Sequence, residues 1–290
     1  MSVFALKILA VATMLIDHVC YVSALAGFLA FSSPLYHIGR GVGRVAFLLF
    51  AFLLVNGFEK THDRKRYLAR LICFAVLSQL PFSLAFTAAN YRGIQPAAFS
   101  FDAAATLPLL LPLAVYFVFI CERRLTPSLL ALAAAFALSG MQLTLGGVCL
   151  LAPHMNIFYT LALSLALMLA IEAARSPDRS WPGLLVCAAA LAVEMWFVQR
   201  QADYGLMGAA LITGLYLLRG RKPMPLVFSA LWSLIMYSTS PYYLCGALAA
   251  LIPLAVYNGK LGRKWRSAFY LFYPVHLALL GLLFCALVRG

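Results

Sequence analysis

Apolar runs close to the length of a membrane helix, joined by short polar connections, dominate this sequence. A helix needs about 20 such residues to cross the roughly 30 Å hydrocarbon core of a bilayer. Of the 290 residues, 64% are hydrophobic and 11% charged, and the mean hydropathy is +0.93. Soluble domains are about half apolar and about a quarter charged, so lipid is the main solvent here. Membrane strands alternate apolar and polar residues, whereas these runs are continuous and rich in Leu, Ala and Phe. Strands are therefore not expected. The pattern predicts an all-α, polytopic transmembrane helical bundle of about 10–11 membrane helices enclosing a polar channel. It forms a single domain over residues 1–290.

About eleven hydrophobic segments can be read by this rule: approximately 5–30, 38–58, 69–88, 103–121, 128–150, 156–174, 182–198, 204–218, 224–239, 242–258 and 267–288. The seventh to tenth are short, and the fifth is interrupted by Ser139-Gly140 and Gly146-Gly147. Proline punctuation, including Pro81, Pro253 and Pro274, implies kinked helices. With the N-terminus cytoplasmic, 17 of the 22 Lys and Arg residues fall on the inner side and five on the outer. That is a strong positive-inside bias, and eleven passes then place the C-terminus outside. The net charge of +13 then reports orientation, or a loop that binds an anionic cofactor, and nucleic acid is not an expected partner. Lys7 and the apolar stretch after it imitate a signal peptide, but such a core does not hold Asp17-His18, so cleavage is not expected.

Ionisable groups at membrane depth are costly and mark function. Lys7 and His18 are eleven residues apart. That is roughly 16 Å and close to three helical turns, so both lie near one face. Lys7 then sits at the cytoplasmic mouth and His18 near mid-membrane or beyond. Asp17 points about 100° from His18 and calls for a basic partner on another helix. In HIGRGVGR (37–44), Arg40 and Arg44 are four apart and share a face. They fall on the side poor in positive charge, where an orientation signal does not explain them. Pairing with Asp17, Asp102 or Asp203, binding of an anionic group, and plain snorkelling are the alternatives. Further polar residues able to line a cavity are Asn56, Glu59, Ser78, Gln79, Asp102, His154, Asn156, Glu194, Asp203, Tyr273 and His276. His276 follows Tyr273-Pro274, where the proline displaces a backbone carbonyl. Each alone is equally a residue that glues helices together.

No phosphate-binding loop, dinucleotide fingerprint or GxSxG elbow is present, which disfavours an ATP-driven pump and a lipase-like hydrolase. Seven scattered cysteines show neither CxxC nor a Cys/His metal spacing, so no metal is expected.

Several segments together resemble the TraX family of conjugative pilin acetylases. They are LKILAVATMLIDHV (6–19), IGRGVGRVAFLLFAFLLVNGFEKT (38–61), RYLARLICFAVLSQLPFSLAF (66–86), NIFYTLALS (156–164), ADYGLMG (202–208) and KWRSAFYLFYPVHL (264–277). Residues 105–150 match in hydropathy alone. The Lys7-x10-His18 spacing also resembles the (Arg/Lys)-x10-His signature of membrane acyltransferase family 3. The resemblance implies transfer of an acetyl group from cytoplasmic acetyl-CoA to an acceptor across the membrane. It implies His18 as catalytic base, Asp17 as its orienting or charge-balancing support, and Lys7 with the basic loops holding coenzyme A. Arg40 and Arg44 would line the outer half. A histidine base suits the proton removal that acyl transfer needs. Cys20 lies across the helix from His18, which favours direct transfer over an acyl-enzyme. The implied acceptor is the N-terminal amine of a pilin-like protein, with a surface glycan hydroxyl as the alternative. A proton-coupled transporter of an organic anion, and a structural subunit of a conjugation or secretion machine, are the competing classes.

Overall fold

The computed structural model describes residues 1–93, 96–102, 140–175, 202–263 and 266–290. The segments expected at 103–121 and 182–198, most of 128–150, and Glu194 lie outside the described residues. The helices are α1 (Val3–Leu25), α2 (Pro34–Lys60), α3 (Arg64–Phe86), α4 (Ile157–Arg175), α5 (Gly205–Leu217), α6 (Met224–Tyr237), α7 (Pro241–Ala249), α8 (Leu251–Ala255) and α9 (Arg266–Arg289). Among the described residues, α1, α2, α3, α4 and most of α9 are long and apolar enough to cross a membrane. Ser2 caps α1 by accepting from the Ala5 amide at 3.2 Å. Along α9, Leu271, Val275, Leu279 and Leu282 are each at least half exposed while Tyr273, His276, Leu277 and Leu280 are buried. The exposed stripe has helical spacing and is wholly apolar, as lipid requires and water forbids.

The residues group into two compact units. The first holds Met1–Asn56, Leu84–Ile94 and Gly214–Gly290; the second holds Gly57–Ser83 and Gln95–Thr213. In the first unit α1 and α2 run antiparallel, with Gly39 against Cys20 and Gly43 against Asp17. A Cβ built on Gly39 would lie 2.2 Å from the Cys20 sulfur, so a larger residue there would force that side chain to turn away. Gly41, between them, faces α7, where a Cβ on Gly246 would fall 1.8 Å from the Gly41 carbonyl oxygen. The contacts of α1 with α9 advance together along both helices: Phe4 with Phe269, His18 with His276, and Phe28 just beyond α1 with Phe284. The two helices are therefore parallel. A 3-10 turn at Ala88–Tyr91 closes the first unit: Tyr91 donates to the Ala85 carbonyl at 2.8 Å, and Arg289 donates to the Asn90 carbonyl at 3.2 Å. Burial pushes the Tyr91 phenol up, which keeps it a donor.

In the second unit, residues from the fifth expected helix form strands instead. β1 (Ala98–Phe101), β2 (Met141–Leu145) and β3 (Val148–Leu151) make an antiparallel sheet in that order. Gly146 and Gly147, at φ +57° and +78°, are the two central residues of a hairpin turn between paired Leu145 and Val148. Both positions need positive φ, which glycine supplies without steric cost. The glycine pair that interrupts the apolar run is thus a strand reversal, and the expectation of no strands is corrected to that extent.

Candidate functional site

Asp17 faces α2 from the buried side of α1. Its Oδ2 accepts from Arg40 at 2.6 Å and its Oδ1 from Arg44 at 2.9 Å. The spacing of four on α2 places the two guanidiniums one turn apart, and Gly43 lets the carboxylate reach both. Each guanidinium also lies over an aromatic ring, Arg40 over Tyr21 at 4.6 Å and Arg44 over Tyr243 at 5.3 Å. Of the alternatives left by sequence, pairing with Asp17 is the one realised. Charge-assisted bonds of this length, away from water, hold the two helices in register.

His18 sits four residues, roughly 6 Å, beyond the midpoint of α1. Its Nδ1 lies 2.8 Å from Nε2 of His276, near the middle of α9. The ring planes are 7° apart with centroids separated by 5.0 Å. Nδ1 of His276 is 2.7 Å from the Phe272 carbonyl oxygen, one turn earlier on the same helix. Phe86 at 5.0 Å and Tyr273 at 6.1 Å meet the His18 ring edge-on. His276 is 6% exposed and Tyr273 4%, while His18 is half-buried.

Lys7 lies toward the start of α1 with its ammonium 5.2 Å from the centroid of Phe269. Thus His18, Asp17, Arg40, Arg44, Tyr273 and His276 gather in the first unit, with Lys7 about three turns along α1. Gln79 and Asp203 belong to the second unit. There Gln79 donates to the His154 carbonyl at 2.6 Å and accepts from the Asn156 amide group at 2.9 Å. His154 meets the Asp203 carboxylate at 3.3 Å, and Thr160 donates to the Asp203 carbonyl at 2.5 Å. This network ties α3 to the start of α4. Sequence reading passed over the glycines: the Gly39-x3-Gly43 spacing is the signal of close helix approach that brings Asp17 to its partners. Among the described residues, no three His, Cys, Asp or Glu converge as a metal site.

Membrane-length helices with a carboxylate, two guanidiniums and two imidazoles gathered within them define a multi-pass α-helical membrane protein with an ionisable site at membrane depth. The chain belongs to the TraX family, whose description, TraX protein, matches residues 2–151 and 105–284. It is similar to the probable fimbrial assembly protein FimC, serogroup H1, of Dichelobacter nodosus. The two are 29% identical over 284 residues, covering 96% of this chain and 94% of that protein. No solved structure matches.

Proposed function

We propose that this protein is a membrane-embedded acetyltransferase. It moves an acetyl group from cytoplasmic acetyl-CoA to an acceptor at the outer side of the bacterial inner membrane. The observation that carries the reading is the His18–His276 pair, an imidazole held at 2.8 Å by a second imidazole inside membrane helices. A base of this kind suits proton removal from an attacking amine. The amine nitrogen attacks the thioester carbonyl, forming the N–C bond and breaking the C–S bond. The amine proton passes to His18 and from there to the departing thiolate, giving an amide and free coenzyme A.

Lys7 and the inner basic loops hold the phosphates of coenzyme A. The N-terminus is cytoplasmic by the distribution of basic residues, and the parallel run of α1 and α9 agrees with chain ends on opposite faces. Membership of the TraX family and similarity to a fimbrial assembly protein favour a pilin-like protein, through its N-terminal amine, as acceptor.

The test has two arms. Acetyl-CoA or coenzyme A should raise the thermal midpoint of the detergent-purified protein by mass action. Mass spectrometry of envelope proteins and surface glycans, with and without the gene, should find an acetylated N-terminus that is lost in His18→Ala. No midpoint shift at millimolar ligand, or normal acetylation in His18→Ala, would defeat the proposal. Acetyl loss from a glycan would retain the chemistry and change the acceptor.

A further inference from the structure

We propose that His276 is the positioning residue of this site. It fixes the tautomer of His18 so that Nε2, and not Nδ1, is the atom that takes up the acceptor's proton. The catalytic part rests on the acyl-transfer reading above, while the tautomer follows from geometry.

A carbonyl oxygen only accepts, so the 2.7 Å contact with Phe272 requires hydrogen on Nδ1 of His276. A neutral imidazole carries one ring proton, which leaves Nε2 of His276 with a lone pair. That nitrogen is 2.8 Å from Nδ1 of His18, so Nδ1 of His18 must donate. The single proton of neutral His18 is thereby used, and its Nε2 is a bare lone pair. Ring planes only 7° apart at a 5.0 Å centroid separation place the contact in the plane of both rings, where the N–H and the lone pair lie.

Asp17 is not the residue that does this. Both its oxygens are engaged by Arg40 and Arg44, and it leaves α1 on a different face. The orienting role that a carboxylate takes in other histidine-based sites falls here to a neutral imidazole. When Nε2 of His18 takes the amine proton, the imidazolium formed keeps its Nδ1–H on His276. Its charge is then drawn along the hydrogen bond toward the Phe272 carbonyl. Return of the proton to the thiolate of coenzyme A leaves both rings neutral.

The test begins without any substrate. Full-length protein labelled with 15N-histidine, in lipid bilayers, reports the tautomer of each ring by solid-state NMR, with His18 assigned by its loss in His18→Gln. We expect Nδ1–H and unprotonated Nε2 on both His18 and His276, and a changed His18 tautomer in His276→Phe. A wild-type His18 protonated at Nε2 overturns the proposal. In turnover, His276→Phe should lower kcat by about 10²-fold, the low end of what a placed base contributes. KM for acetyl-CoA should stay unchanged. His276→Gln, whose side-chain oxygen can accept in place of Nε2, should recover much of that loss. Equal loss in both folded variants, or an effect on KM alone, also overturns it. If the tautomer is as expected but no acetyl transfer occurs, the tautomer assignment stands and the acyl-transfer reading fails.

Discussion

Gly43 lies so close to Asp17 that a Cβ at position 43 would stand 2.3 Å from the carboxyl carbon and Oδ1. The close approach of α1 to α2 and the ion-pair site are therefore one feature. Gly43→Ala must push the helices apart and stretch the Asp17–Arg44 bond. An overpacking cost of about 1–3 kcal/mol is expected, read as a lowered thermal midpoint in detergent. Gly39→Ala meets the movable Cys20 side chain, so Cys20→Ala should restore its midpoint in part. The same second change should do nothing for Gly43→Ala, and a rescue there would contradict the geometry.

Asp17→Asn leaves two guanidiniums facing each other without a carboxylate. Breaking a buried pair by removing one partner costs about 3–5 kcal/mol. Arg40→Gln should cost less, since Asp17 keeps Arg44 at 2.9 Å. Thermal midpoints in that order, wild type above Arg40→Gln above Asp17→Asn, are the expected result. A neutral Asp17→Asn would show the pair to be energetically idle.

Lys7→Ala should weaken acetyl-CoA binding while leaving the midpoint of the ligand-free protein near that of wild type. Its half-buried side chain makes a cation–π contact with Phe269, of the order of 1 kcal/mol. A titration of midpoint against ligand concentration separates the two effects. An unchanged affinity removes Lys7 from the donor site.

In the second unit, Asn156 is fully buried and its amide bonds the Ala75 carbonyl at 2.8 Å and Gln79 at 2.9 Å. Asn156→Ala takes its side-chain donor from the Gln79 oxygen and from the Ala75 carbonyl and should cost about 1–3 kcal/mol. The neighbouring His154–Asp203 contact is 48% and 36% exposed on its two sides. His154→Ala should therefore change stability little, as half-exposed pairs do. The reverse order of midpoints would locate the stabilising contact elsewhere.

The helices α1, α2, α3 and α9 were legible because length and hydropathy report bilayer depth directly. The need of Asp17 for a basic partner followed from the cost of an unpaired charge in such a helix. Which helices are neighbours did not. Periodicity records the face a residue occupies, and the identity of the facing helix is a tertiary fact. Asp17 could thus be matched to a kind of partner, while the His18–His276 bond, across 258 residues, left no trace in local pattern. The hairpin at Gly146-Gly147 was hidden for another reason: its strands are themselves apolar, so the hydropathy resembled helix and the double glycine resembled a break. His276 also uses the carbonyl of Phe272, set by helix geometry two residues before Pro274.

The imidazole pair joins residues separated by 258 positions. At ribosomal rates of about 5–20 residues per second, His276 is made roughly 13–50 s after His18. Throughout that interval α1 resides in the bilayer with its histidine unmatched, while Asp17 can already dock on Arg40 and Arg44 of the very next helix. Assembly is therefore staged. The ion pairs hold an early hairpin, and the site comes into being only when α9 inserts beside α1. A nascent chain interrupted before that point carries the Asp17 ion pairs and lacks the imidazole pair.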